Sequence, residues 1–300
     1  MKKRNRRLLI ILLLLGVLAL SIYKKKDNIL DLFPDVIARK SGQISAINFL
    51  VVDLNTGEKL ITKGETEKIR PASLAKLYSI YMTSNLFNSD TIIDMRKEAL
   101  NMAKENSSLS NILPGKYYAK NIYHAILAPS GNDAMYGLAD YVGFSFDDSL
   151  KEPEERILEY TRILNKYLKN QGFNNTYIED VTGYCEKTYT DLNDLNNLVQ
   201  SLIKIDYFWD LVSKAQVTTI CPSEKSLTWL NTNKFLDENS KFYNPNIHGI
   251  KTGSLGFYNN IISLYENDKS RYLIFVIGSK SDDFRYTDTL NLIDEIEKKV

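Results

Sequence analysis

Gln43-Ile-Ser-Ala-Ile-Asn-Phe-Leu-Val-Val-Asp53 is a β-rich stretch, and its counterparts lie near the opposite end of the chain, at residues 258–265 and 271–277. Outward from it, Asn55-Thr56-Gly57 is a turn signal and residues 59–63 supply a return strand. Glu266-Asn267-Asp268 turns the second hairpin in the same way, and a short strand is predicted over 247–252. Between these ends the pattern becomes helical. Leu74, Leu77, Ile80 and Tyr81 form an apolar stripe over 73–87, residues 122–127 and 133–142 flank a turn, and 157–171 and 191–205 are amphipathic. A last helix is predicted over 283–299. Strands at both ends with helices between predict an α/β fold. It is a mainly antiparallel sheet built from both chain ends, flanked by helices, with an inserted all-helical subdomain over about 84–205.

Three short strings follow one another along this frame: Ser73-Leu74-Ala75-Lys76, Ser130-Gly131-Asn132 and Lys251-Thr252-Gly253. They supply a serine with a lysine, a second hydroxyl with an amide, and a cationic strand. That is the equipment of acyl transfer through a serine with lysine as its base. If Ser73 opens a helix, Lys76 lies one turn on, on the same face and within reach of the hydroxyl. Helix-start N–H groups add a positive end for an oxyanion. As a base Lys76 must shed its proton near neutral pH, through desolvation or a neighbouring cation, and Lys251 is the candidate cation. Ser130 can pass a proton to a departing amine, and Asn132 can orient a substrate amide. Lys251 and Thr252 can bind a carboxylate, while Gly253 lets another backbone approach closely.

Each string alone has a plainer reading: an N-cap with a solvated lysine, a capped loop of turn formers, and an edge strand ending in a polar turn. Ser-x-x-Lys also occurs from Ser21 to Lys24 and from Ser201 to Lys204, with no such company. The three strings together, with Pro71-Ala72 leading into the first, favour the catalytic reading.

Charged residues are 25% of the 300 and leave a net charge of +1, with acids and bases interspersed, so no nucleic-acid partner is expected. Cys185 and Cys221 show no metal-ligand or redox spacing, and a disulfide or two isolated thiols both stay open. The only histidines are His124, which reads as structural in an apolar helical stretch, and His248. Neither a zinc site nor a cofactor is expected. Lys2, Lys3, Arg4, Arg6 and Arg7 precede an uncharged apolar run that starts at Leu8 and ends at Tyr23. As a helix it spans roughly 24 Å against a hydrocarbon core of about 30 Å, and flanking lysines can snorkel. The basic flank places the N-terminus in the cytoplasm and the body outside. Residues 1–26 thus read as a basic N-terminus with a membrane anchor, 27–42 as a tether and 43–300 as the exported domain. Ala19-x-Ser21 resembles a signal-peptide cleavage site, which would release the body instead. Lys24, Lys25 and Lys26 directly after it favour the anchor.

The chain resembles the serine D-alanyl-D-alanine carboxypeptidases, the low-molecular-weight branch of the penicillin-binding proteins. The likeness rests on the segment from Pro71 to Lys76, on Ala128-Pro129-Ser130-Gly131-Asn132-Asp133-Ala134 and on Gly249-Ile250-Lys251-Thr252-Gly253. It continues through Leu164-Asn165, Gln171-Gly172-Phe173 and Thr176, Asp180-Val181-Thr182-Gly183-Tyr184, Asn231-Thr232-Asn233 and residues 271–278. The resemblance implies the β-lactamase-like fold of DD-peptidases and hydrolysis of the terminal D-alanine of peptidoglycan stem peptides, without metal or cofactor. It also implies inhibition by β-lactams, and no obligate protein partner is evident. Ser73 would form the acyl-enzyme with Lys76 as base, Ser130 would shuttle the proton, and Asn132 would hold the penultimate peptide group. Lys251 and Thr252 would meet the terminal carboxylate with help from Arg285, and the N–H groups of Ser73 and Ser254 would form the oxyanion hole.

The sequence departs from the family after the third string, at Ser254-Leu255-Gly256-Phe257-Tyr258, and at His248, where an acid is common. The family's frequent C-terminal β-domain and amphipathic helix are not seen. A class A β-lactamase carries the same three strings, but it needs a Glu-x-x-Leu-Asn loop. Glu152, Glu154, Glu155 and Glu179 all lack the Leu-Asn, and Gly131 stands where those enzymes usually have Asp. A catalytically silent wall-binding or β-lactam-sensing module is the remaining alternative.

Overall fold

The computed structural model describes residues 43–220 and 224–298. The expected membrane segment and tether, and Cys221, lie outside the described residues. Along the chain run β1 (Asn48–Asp53), β2 (Lys59–Lys63), a one-turn 3-10 helix (Ala72–Ala75), α1 (Lys76–Leu86), β3 (Ile92–Met95), α2 (Lys97–Leu100) and β4 (Gly115–Tyr118). Next come α3 (Ala119–Leu127), α4 (Asn132–Phe146), α5 (Pro153–Asn170), α6 (Leu192–Leu202) and α7 (Phe208–Val212). The chain closes with β5 (Gln216–Ile220), β6 (Ser226–Leu230), β7 (Ile247–Leu255), β8 (Tyr258–Glu266), β9 (Arg271–Ser279) and α8 (Asp282–Glu297).

Five strands form one antiparallel sheet in the order β2-β1-β9-β8-β7, so both chain ends build it, as the sequence predicts. Strand periodicity assigns its two faces. Leu50, Val52, Ile262, Leu264, Leu273, Phe275 and Ile277 face a core shared with α1, α3, α4, α5 and α6. Val51, Ile261, Tyr272, Ile274 and Val276 face the other way, against Tyr286, Leu292, Ile293 and Ile296 of α8. Residues buried on both faces explain why 272–277 is an unbroken apolar run rather than an alternating one.

Three details differ from the sequence reading. The inserted region is helical but also carries a short antiparallel ribbon, β3 with β4, too brief to show a period-2 pattern. The second is that β7 runs to Leu255 because Gly253, Ser254 and Leu255 keep pairing with Asn260, Asn259 and Tyr258, so Lys-Thr-Gly sits inside the strand. Third, a 3-10 turn precedes α1, which begins only at Lys76. Helix ends follow their local chemistry. Glu152 and Glu155 form a capping box around Pro153 at the start of α5, and Ser281 Oγ accepts from Phe284 N at the start of α8. Among the described residues no helix is long and apolar enough to cross a membrane.

Candidate active site

The segment carrying Ser73 lies where the 3-10 turn meets the buried edge strand β7. In a 3-10 helix residues i and i+3 eclipse, which aligns Ser73 with Lys76 more closely than an α-turn would. Nζ of Lys76 lies 2.8 Å from Ser73 Oγ and 3.5 Å from Ser130 Oγ, so one amine bridges both hydroxyls. Lys76 is fully buried, and that burial pulls its pKa from 10.5 down to about 7, against the opposing pull of the Asp180 and Asp133 carboxylates. The expected influence of Lys251 runs the other way. Lys251 is itself held well below the ordinary lysine range, first by burial and then by the charges of Lys76 and Arg285. Its Nζ donates to Thr252 O at 3.0 Å.

Ser130 reaches the site through a strained turn. Its φ of +64° is unusual for a residue with a side chain. The turn is fixed on both sides: Gly131 N donates to Ala125 O (3.2 Å), Asn132 N to Ser108 O (2.8 Å), and Thr232 N to Ala128 O (3.0 Å). A β-carbon at Gly131 would sit 2.5 Å from Ala125 O, so the acid that β-lactamases place there has no room. Behind the turn the buried Asp133 carboxylate accepts from Ser110 N and Oγ, and Trp229 Nε1 donates to Ser110 O. Asn132 opens α4, and its buried Oδ1 has no partner among the described residues. A buried acceptor left unpaired is costly unless a ligand donor completes it.

Thr252 Oγ1 is 2.6 Å from Thr232 Oγ1, which ties the Asn-Thr-Asn tripeptide to β7. Arg285 is buried and not solvated. Its Nη1 donates to Gly253 O (3.2 Å), Ser254 Oγ (3.0 Å) and Asn260 O (3.2 Å), and its Nη2 pairs with Asp282. Gly253 serves the close approach expected of it: a β-carbon there would lie 2.9 Å from Pro71 O and 3.2 Å from Ser73 N. The cleft in front of these groups has a volume of about 560 Å³, and Ser73, Asn132 and Ser254 all line it.

Sequence reasoning did not point to Lys104, Ser107, Ser108, Tyr136 or Cys185 as part of the lining. Loop residues of ordinary type carry no spacing signal. Asp180 also lines the cleft, but its carboxylate is occupied by Thr182 N and Oγ1, Tyr184 N and Cys185 N of its own turn. Gly183 lets that turn pack on the Ala72 carbonyl. His248 lies on β7 directly before the cis Gly249–Ile250 bond, and His124 is buried beside Asp210, burial lowering its pKa to about 4. Neither histidine lines the cleft. Among the described residues no three His, Cys, Asp or Glu side chains converge as a metal site would require.

The family model of the D-alanyl-D-alanine carboxypeptidases, peptidase family S11, matches residues 35–280. The D-alanyl-D-alanine carboxypeptidase DacF of Bacillus subtilis is 24% identical over 238 residues, covering 76% of this chain and 57% of the relative. DacC of Escherichia coli, of the same name, is 26% identical over 270 residues, covering 85% and 62%. The chain thus spans less than two thirds of either relative's length. Among solved structures, the Streptomyces K15 DD-transpeptidase shares the fold with a TM-score of 0.73 at 22% identity, covering 84% of this chain and 97% of that one. Penicillin-binding protein 6B from Escherichia coli gives 0.68 at 24%, covering 84% and 77%. With a match over most of its length, the chain belongs to the D-alanyl-D-alanine carboxypeptidase family.

Proposed function

We propose that this chain is a serine-type D-Ala-D-Ala carboxypeptidase that trims peptidoglycan stem peptides through an acyl-serine intermediate, and that β-lactams acylate the same serine. The observation that carries this reading is the 2.8 Å contact between Ser73 Oγ and a buried Lys76 amine whose pKa is about 7. Near neutral pH a large fraction of Lys76 is uncharged. It accepts the hydroxyl proton as Oγ forms a bond to the carbonyl carbon of the penultimate D-alanine. The N–H groups of Ser73 and Ser254 receive the oxyanion. The proton passes from Lys76 through Ser130, 3.5 Å away, to the nitrogen of the departing D-alanine as the peptide bond breaks. Water then bonds to the ester carbon as Lys76 takes its proton, the bond from that carbon to Oγ breaks to free the shortened peptide, and Lys76 returns the proton to Oγ to restore Ser73.

Binding follows from the unpaired groups. Asn132 Oδ1 accepts the N–H of the penultimate residue. The terminal carboxylate lies against Lys251, Thr252 and Ser254, giving the buried Lys251 amine a counter-ion. Arg285 supports this contact through Ser254 Oγ. The segment from Leu8 to Tyr23 tethers the enzyme outside the cytoplasmic membrane, where the wall lies.

A β-lactamase would need a second base for deacylation. Asp180 is the one carboxylate among the described residues lining the cleft, and its oxygens are committed to its own turn. Glu152 and Glu155 are used in the α5 capping box. The β-lactam ester is therefore long-lived. Incubating the full chain with a peptide ending in D-Ala-D-Ala, and following free D-alanine and the shortened peptide, tests the reading. Ser73→Ala abolishes release. Sustained turnover of a chromogenic cephalosporin would overturn the peptidase in favour of a β-lactamase, and no uptake of fluorescent penicillin would leave a silent module.

A further inference from the structure

We infer that Asn260, which lies in none of the three strings, is a positioning residue for the nucleophile; the inference rests on reading Ser73 as that nucleophile. Asn260 is fully buried on β8, directly across from Gly253 of β7. Its Nδ2 donates to two successive carbonyls, Arg70 O (3.0 Å) and Pro71 O (3.1 Å). Pro71 O also accepts from Leu74 N (3.1 Å), the bond that closes the 3-10 turn around Ser73. Both lone pairs of that carbonyl are thereby filled, one from the turn and one from the sheet.

The sheet is deformed at this residue. Pairing of β8 with β9 slips between Asn259 and Ile261, and Gly278 opposite takes φ +70°. Gly278 N, left without a ladder acceptor there, donates to Asn260 Oδ1 (2.9 Å). This is a bulge that holds the amide by its oxygen while its nitrogen faces the nucleophile segment. Asn260 O is held as well, by Arg285 Nη1. With Gly253 bare and Asn260 donating, the pair forms a seat for Pro71. The residue seated next to it, Ala72, has φ +50°, a costly conformation for a residue with a side chain that persists only where the surroundings impose it. Gly183, packed on Ala72 O, constrains the following peptide from the other side. Asn260 thus sets the direction in which the chain enters Ser73, and with it the position of Oγ relative to Lys76 and β7.

A displacement of about 1 Å in a reacting group costs up to about 100-fold in rate. The experiment measures acylation of the full chain by fluorescent penicillin across pH, per folded molecule, in wild type, Asn260→Ala, Asn260→Asp and Asn48→Ala. Asn48 is a matched control: a buried amide at the other end of the sheet, donating to Gly64 O and Glu67 Oε2. The expected result is a plateau about 10–100-fold lower in Asn260→Ala, and lower still in Asn260→Asp, whose oxygens repel the two carbonyls. The midpoint of the pH profile stays near 7, and labelling of Ser73 still reaches one per molecule. Asn48→Ala loses thermal stability but keeps the wild-type rate. If Asn260→Ala does not fold, Asn260→Ser, which keeps one donor, carries the same comparison. Wild-type acylation in the folded Asn260 variants, or equal losses in Asn48→Ala, would overturn the inference. Failure of the wild-type chain itself to be acylated would instead overturn the role of Ser73.

Discussion

The two edges of the five-stranded sheet have opposite characters. β2 is exposed and guarded by charge: Lys59, Thr62 and Lys63 face solvent, which discourages another strand from pairing there. In β7 only Ser254 is exposed. That edge is covered by the Ser73 segment at Gly253 and by the end of α7, where Val212 O lies 2.7 Å from where a β-carbon of Gly249 would be. A covered edge must satisfy its polar groups from outside the ladder, and β7 does so with Lys251, Arg285 and Thr232. The same arrangement leaves strand backbone beside the cleft, where an extended peptide can be received. One edge is open to solvent, and the other is packed against neighbouring chain.

The sharpest way to break this contrast is through Lys76. Lys76→Met keeps the buried volume but removes the proposed base, and acylation by penicillin is expected to fall by about 10²–10⁴-fold. In the wild type the acylation rate should climb with pH through about 7 and then level, because the neutral amine is the competent form. The same group links pH to stability. The folded pKa lies below the unfolded value of 10.5, so between about pH 7 and 10.5 the unfolded chain binds the proton and the folded chain does not. The Lys76 contribution to stability therefore rises with pH across that window. A melting series in wild type and Lys76→Met should show the wild-type slope exceeding that of the variant, and equal slopes would place the Lys76 proton elsewhere.

How far these features were legible in sequence follows the same division. The β-rich stretch of β1 and the hairpin of β8 and β9 are local patterns, and they predict the sheet and its closure by both chain ends. Ser73 with Lys76 was legible because helical spacing alone brings them together. The meeting of Ser130 and Lys251 with that pair is non-local, and it was reached through the co-occurrence of strings and through family resemblance. Asn260 went unread, although a polar residue inside a buried strand was visible in Tyr258-Asn259-Asn260-Ile261-Ile262. Its partners are carbonyls brought close only by folding. A depressed pKa for Lys76 is expected from sequence through desolvation or a neighbouring cation, and the choice between them, burial, depends on packing that no string encodes.

Two glycines sharpen the contrast further. Gly253→Ala places a methyl 2.9 Å from Pro71 O and 3.2 Å from Ser73 N, both backbone atoms that cannot swing aside. A cost of about 1–3 kcal/mol in stability is expected, with acylation falling well beyond what that loss explains. Gly57, in the turn joining β1 to β2, has open space around it but a φ of +79°. Gly57→Ala should cost about 1–2 kcal/mol through backbone strain and leave acylation per folded molecule unchanged. The smallest effect belongs to the exposed edge itself. Lys59 Nζ pairs with Glu65 at 2.7 Å and with Asn193 Oδ1, but both charged partners are about a third exposed, so water and salt compete for the pair. Lys59→Ala should therefore shift stability by no more than about 1 kcal/mol, less in high salt, and leave acylation unaltered. A change in acylation from that position would mean that the two edges communicate through β1 and β9, and the sheet would have to be treated as one mechanical unit rather than as a guarded margin and a working one.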